Sequence, residues 1–312
     1  MNRVIIDTDP GVDDAHALLM AVAHPTTKIE ALTTVAGNVS VERATANALI
    51  ILEMLNVDIP VYVGSGDALV TPTPRRAISH GADGLGDSGL PASSRTPRPE
   101  HAAQALIRLA TESPGELTLI ALGPLTNIAL ATRLDPTLPT KYKRLIVMGG
   151  AIHGMGNSWI QAVEFNFYVD PDSAAIVMNT WPGLTLVSWE TTMAHALLAH
   201  QIEALTSIAS PRADFFRRTI QNRLTRPVSG QPVLYEPDPL AMAVALEPEI
   251  IVRAEARVVD VELGGQFTRG QTVVDWFDLT GRAPNVNVVL EVNKERFWEL
   301  LQLSLTGTAE HR

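Results

Sequence analysis

Asp7-Thr8-Asp9-Pro10-Gly11-Val12-Asp13-Asp14 puts four carboxylates into eight residues. The run follows the apolar Val4-Ile5-Ile6 and precedes the helical composition of Ala15-His16-Ala17-Leu18-Leu19-Met20. The acids therefore crowd one strand-to-helix turn, where like charges cannot all stay ionised without compensation. They can share protons, or they can bind a hard divalent cation through carboxylate oxygens. Pro10-Gly11 turns the chain after Asp9, so carboxylates on both sides can face one point. The N-terminus of the helix adds a favourable field for the remaining negative charge. A helix cap with an acidic first turn would account for Asp13 and Asp14 but not for Asp7 and Asp9, so a metal site is the reading preferred.

The elements that must position this turn come from the rest of the chain. The first half alternates strand and helix signals: strands at Arg3–Ile6, Ile29–Val35, Val61–Val63, Leu117–Leu122, Arg144–Met148 and Leu184–Val187, with helical stretches between them. Such alternation predicts an α/β fold, an open, mainly parallel central sheet with helices on both faces. Ligands in these sheets bind at the carboxyl ends of the strands. The acidic turn, Gly37-Asn38, Leu122-Gly123 and Met148-Gly149 all lie at such ends. Later, Ala194–Ile208, Pro211–Leu224 and Asp238–Ala245 read as helices, Val258–Leu263, Thr272–Val274 and Val286–Val292 as strands, and Lys294–Leu305 as a closing helix. No linker divides them, so residues 1–312 are expected to form a single domain. Thr71–Pro99 and Thr225–Pro237 are long Pro-, Gly- or Ser-containing stretches, which suggests rims or lids over a site.

Bulk properties narrow the partners. The formal net charge is −10 and no basic run exceeds two residues, which argues against a nucleic-acid polymer. No apolar run approaches the ~20 residues of a membrane span. Cysteine is absent, which excludes thiolate metal sites and fits a reducing compartment. The chain enters a strand at once, leaving no room for a signal peptide; a cytoplasmic location is expected. Gly84-Leu85-Gly86-Asp87-Ser88-Gly89 spells a dinucleotide fingerprint, but neither a strand before it nor a helix after it supports that use, and a flexible rim is expected instead. His195 and His200 lack zinc-protease spacing.

The acidic turn and an ordered series of later blocks resemble the inosine-uridine-preferring nucleoside hydrolase family. Asp7 to Ala15 match its DxDPGxDDA signature, and the likeness continues at Thr33–Asn38, Leu122–Ala129, Val147–Gly150, Glu164-Phe165-Asn166, Asp170-Pro171 and Asp238-Pro239. The resemblance implies a Rossmann-like nucleoside hydrolase domain that hydrolyses the N-glycosidic bond of ribonucleosides with Ca²⁺, usually as a homodimer or homotetramer. It implies metal ligands at Asp9, Asp14, the Leu122 carbonyl and Asp238, with Asp9 also the general base. Asp13, Asn38, Met148, Asn157, Glu164 and Asn166 match positions that bind ribose, and His80 a histidine near the nucleobase. Well-known members carry a histidine just before the last aspartate as the acid for the departing base, whereas this chain has Pro237. Glu236, Tyr235, His80 or stacking on Trp159 must replace it, and Glu236 and His80 are the candidates taken as catalytic. Two other functions compete: a nucleoside or sugar sensor without turnover, supported by the missing histidine, and a Mg²⁺ phosphohydrolase of the haloacid-dehalogenase type. The latter needs a later basic residue and acidic pair at strand ends that instead carry Leu122-Gly123 and Met148-Gly149.

Overall fold

In a computed structural model, which describes residues 1–71, 78–224 and 233–307 (apart from the side chains of Ile78, Asn222 and Leu224), the apolar runs become one eight-stranded sheet. Its strands are β1 (Asn2–Thr8), β2 (Thr27–Thr34), β3 (Val61–Val63), β4 (Leu117–Ala121), β5 (Arg144–Met148) and β6 (Leu184–Val187). Further along the chain come β7 (Leu197–Leu198), β8 (Val233–Leu234), β9 (Ile251–Arg257), β10 (Val259–Val261), β11 (Thr272–Val274) and β12 (Val286–Val292). The sheet order is β3-β2-β1-β4-β5-β6-β12-β9, parallel throughout except for the antiparallel edge strand β9. Two-stranded antiparallel ribbons, β7 with β8 and β10 with β11, lie outside it.

Parallel sheets need both faces covered, and here both are. Val4 and Ile6 of β1 enter one core with the helices Val12–Ala23, Pro237–Leu246 and Lys294–Thr306, while Ile5 enters the other with Ala102–Glu112 and Pro171–Thr180. Strand order reverses between β1 and its neighbour β4, the switch point where such sheets open a crevice. Asp7 pairs in register with Thr33 on one side and Ala121 on the other, so the acidic turn emerges in the middle of that crevice.

Asn127, fully buried, ties this centre together. Its Nδ2 donates to Asp7 Oδ2 (2.8 Å) and the Thr34 carbonyl (3.0 Å), and its Oδ1 accepts from the Ser65 N–H (2.9 Å). Asp7 also accepts from Thr33 Oγ1 at 2.5 Å, and burial raises its carboxyl to about 7 against the pull of both donors. Asp7 is thus bonded among the strands and is not one of the acids that converge beyond the turn. Asn127→Ala should lower stability by ~3 kcal/mol, because it leaves several buried groups unpaired. A urea midpoint shifted by less than a third of that would show the network to be replaceable by water.

Several expectations need correction. The predicted helix Ala194–Ile208 is broken: Trp189–Ala194 ends early, Leu197-Leu198 pairs with Val233-Leu234, and a second helix starts at Ala199. Pro211–Leu224 splits at Ile220 into Pro211–Thr219 and Gln221–Leu224. Strand β9 was not predicted. Of the two long stretches, residues 72–77 and 225–232 lie outside the described residues. In the rest of the first, the segment around Gly84-Leu85-Gly86 is packed: these residues are buried, and the Gly86 N–H donates to the His80 carbonyl at 2.7 Å, while most of residues 87–99 are exposed or half-buried. Gly84, Gly86 and Gly89 have positive φ, and a Cβ on Gly86 would strike the Thr219 backbone, so the fingerprint-like glycines serve turn geometry and close packing.

Candidate active site

The turn after β1 is shaped by Asp14, the third residue of the Val12–Ala23 helix. Its Oδ2 accepts from the Gly11 N–H (2.9 Å) and Asn38 Nδ2 (3.1 Å), and its Oδ1 from Thr8 Oγ1 and the Asp9 N–H (3.3 Å). This capping geometry fixes the first turn of the helix, from which Asp13 lines the cavity described below. Asp238 arrives from the far end of the chain, in the first turn of the Pro237–Leu246 helix, which packs on Val12–Ala23. Oxygens of Asp13, Asp14 and Asp238 lie within 4.8 Å of one another.

Asp9 sits beneath this triad, fully buried, its Oδ2 accepting from the Asn38 N–H at 2.5 Å and its Oδ1 without a hydrogen-bond partner. The space it occupies exists because Gly37 and Gly123 lack side chains: a Cβ at either would run into its carboxylate. Burial, then the charges of neighbouring aspartates, pushes Asp9 and Asp238 well above the ordinary carboxylate range and Asp14 to about 6. Burial opposes ionisation of Asp13 as well, but the Arg223 guanidinium, 3.6 Å away, leads the influences that outweigh it and hold that carboxyl low. Crowded buried carboxylates with unpartnered oxygens at Asp9 and Asp13 fit a hard divalent cation, whose preferred donors are oxygens. The sequence grouped Asp9 with the ligands and Asp13 with ribose; the tightest triad contains Asp13, with Asp9 adjoining.

Above the acids opens a cavity of about 610 Å³, within the range of small-molecule sites. Asp13, Asn38, Leu122, Met148, Asn157, Glu164, Asn166, His80 and Asp238 all line it, so the sequence-predicted residues converge except Asp9, which lies below the floor, Asp14, and Glu236. Asn166 Nδ2 donates to the carbonyls of Leu122 (2.8 Å) and Met148 (3.2 Å), bridging the ends of β4 and β5. Glu164 caps the Phe165–Val169 helix by accepting from the Asn166 (3.0 Å) and Phe167 (3.3 Å) N–H groups. Burial lifts its carboxyl to about 7. Asn157 Oδ1 accepts from the Phe165 N–H at 2.7 Å, which fixes the loop carrying Trp159. Glu190 accepts from the N–H groups of Ile152, His153 and Met155, holding the loop after β5.

His80 accepts from the Val12 N–H at Nδ1 (3.0 Å), and burial depresses its ring to about 4, so it stays neutral and can donate only from Nε2. Glu236 is a correction. Its side chain is buried outside the cavity, with Oε2 2.9 Å from His16 Nδ1, and does not reach a base there. Arg223, Trp189 and Tyr235 line the cavity instead, the two rings tilted with centroids 5.3 Å apart. Nothing in the sequence around Arg223 marks it, because a basic residue at a helix end reads as a solvated one.

Comparison with known proteins agrees with this architecture. The profile of the family described as inosine-uridine preferring nucleoside hydrolase matches residues 4–299. The pyrimidine-specific ribonucleoside hydrolase RihA of Salmonella typhimurium is 37% identical over 310 residues, 96% of each chain. Among solved structures, the plant nucleoside hydrolase PpNRh1 superposes with a TM-score of 0.90 at 34% identity, covering 98% of this chain and 99% of that one. An inosine-guanosine nucleoside hydrolase gives 0.91 at 32% identity, covering 99% of both.

Proposed function

Since the chain belongs to the inosine-uridine preferring nucleoside hydrolase family, enzymes that hydrolyse the N-glycosidic bond of ribonucleosides, we propose that it is a Ca²⁺-dependent member releasing free base and ribose. The observation that carries this reading is the convergence of Asp13, Asp14 and Asp238, with Asp9 adjoining, at one end of a cavity lined by hydrogen-bonding groups.

Asp9, Asp14, Asp238 and the Leu122 carbonyl would hold the cation, with Asp13 on the cavity side. Bound there, a divalent ion lowers the pKa of a water and fixes sugar hydroxyls in place. The protein's part is orientation, proton transfer and charge. Asn38, Glu164 and Asn166 offer a sugar amide and carboxylate partners, so a ribose lacking a hydroxyl would leave buried polar groups unpaired. Met148 packs against the sugar. As the C1′–N bond breaks, positive charge spreads over the ribose ring opposite the carboxylates of Asp13 and Glu164. Water oxygen forms the new bond to C1′, and Asp9 takes its proton, a role that hydrogen-bond reach sets first. The relatives' names divide between pyrimidine and inosine-guanosine substrates, so the base is settled by turnover rather than by ancestry. Among the described residues no helix is long and apolar enough to cross a membrane. Action on free nucleosides in the cytoplasm by a homodimer or homotetramer belongs to the same proposal and rests on the family likeness.

The test is ribose release from a panel of purine and pyrimidine ribonucleosides, with and without chelator and added Ca²⁺. Calcium-restored release is expected. Binding of nucleosides without release would replace this reading with that of a sensor.

A further inference from the structure

Pro237 carries no proton, and Glu236 is turned away from the cavity, so the departing base must meet another group. Arg223 is the only cationic side chain lining the cavity among the described residues. Its Nη2 donates to the Tyr235 backbone carbonyl at 2.6 Å, and Trp189 and Tyr235, whose ring centroids are 5.3 Å apart, line the same cavity. Its Nη1 is buried and has no hydrogen-bond partner. Glu236 Oε1, likewise unpartnered, lies 3.7 Å from it. Glu236 is anchored from behind: Oε2 lies 2.9 Å from His16 Nδ1, and His16 Nε2 lies 2.9 Å from Thr219 Oγ1. A buried chain from Thr219 through His16 and Glu236 therefore stands behind the guanidinium of a residue that lines the cavity together with Trp189 and Tyr235.

We propose that Arg223 activates the leaving base, and that Glu236 is the positioning residue that holds its guanidinium, an inference that rests on the nucleoside hydrolase reading. When the C1′–N bond breaks, its electron pair passes to the base and collects on a ring nitrogen and the carbonyl oxygen conjugated with it. Arg223 donates hydrogen bonds to that developing anion and keeps its own proton, since a guanidinium stays charged at every working pH. The base leaves as an ion-paired anion and takes a proton from solvent, while water supplies hydroxide to C1′ and a proton to Asp9. The simpler role for Arg223 is that of a counter-ion to Asp13 and Glu236, and the two roles differ in how they depend on the leaving group.

Steady-state kinetics of the Ca²⁺-loaded protein on natural ribonucleosides and on a nitrophenyl riboside, whose leaving group needs no help, separates them. Arg223→Ala should lower kcat on natural nucleosides by ~10²–10³-fold, the loss typical of a donor to developing negative charge, with KM little changed and the nitrophenyl riboside nearly unaffected. Added guanidinium ion should recover part of the loss, and Glu236→Gln should show the same selectivity in weaker form. Equal losses on both substrates would make Arg223 a counter-ion and overturn the proposal, as would full activity of Arg223→Ala. If the alanine variant does not fold, Arg223→Lys, which keeps the charge without the fork, must still lose selectively on natural nucleosides. Wild-type turnover of the nitrophenyl riboside but of no natural nucleoside would remove Arg223 from this role and spare the hydrolase reading. Turnover of neither would overturn both.

Discussion

Asp9→Ala should reduce ribose release by ~10³-fold or more while leaving the far-ultraviolet circular dichroism unchanged, because the variant loses a proposed base whose removal costs ~10²–10⁴-fold in general base catalysis. The fold should tolerate it well. Asp9 is buried and fully dehydrated, its single hydrogen bond is to the Asn38 N–H, and its charge faces those of Asp13 and Asp14. Removing a crowded charge relieves repulsion, so without added cation the variant should melt no lower than the wild type. Asp9→Asn is the sharper comparison, since it preserves shape and the bond to Asn38 while abolishing proton uptake. Normal turnover by the asparagine variant would strip Asp9 of the base role and leave Asp13, which faces the cavity, as the carboxylate to test next.

The second large effect is on stability. Stripping divalent cations should abolish turnover and lower the melting temperature, and Ca²⁺ should restore both. A ligand that binds only the folded protein, at 100 times its Kd, adds about 2.7 kcal/mol. For a domain of this size each kcal/mol moves the melting point by about 2–4 °C, so a rise of about 5–10 °C is expected. Asp238→Asn should remove most of that rise, since it withdraws one of the three converging carboxylates. A Ca²⁺-independent melting point, with activity insensitive to chelation, would mean that the crowded acids are managed by protonation instead, the direction in which burial and their mutual charge push Asp14 and Asp238.

What could be read from the sequence was local or periodic. The parallel strands declare themselves as short apolar runs because both of their faces are buried, and the acidic turn declares itself because its residues are contiguous. Strand β9 hides because Arg253, Glu255 and Arg257 alternate with smaller residues on an edge, and only its distant partner β12 makes it a strand. The break at His195–Leu198 has the same origin: Leu197-Leu198 is drawn out of helix by Val233-Leu234, a pairing that no local pattern announces. His195 itself, its ring between the carbonyls of Thr191 and Val292, proves to be a structural bridge. At the site, the carboxylate of Glu236 and its place beside Asp238 suggest a role toward the base that the fold does not give it. Helical geometry sends neighbours in sequence to different faces, and Glu236 turns inward to His16 while Asp238 faces the cavity. Arg223 lay outside the reading because its partners, Asp13, Tyr235 and Glu236, meet it only through the fold.

The acid cluster draws its members from opposite ends of the chain, Asp13 and Asp14 from the first helix and Asp238 from a helix more than two hundred residues later. Chains are made from the N-terminus at about 5–20 residues per second. For ten seconds or more of synthesis, the first acidic turn therefore exists without the carboxylate, helix and cavity wall that complete it. During that interval its charges are best left in water, and for the first part of it β1 also lacks its partner β4, which ends only at Ala121. Closure of the crevice is thus among the last events in making this molecule. A nascent chain stalled before residue 238 would present the signature turn in full and still have no site.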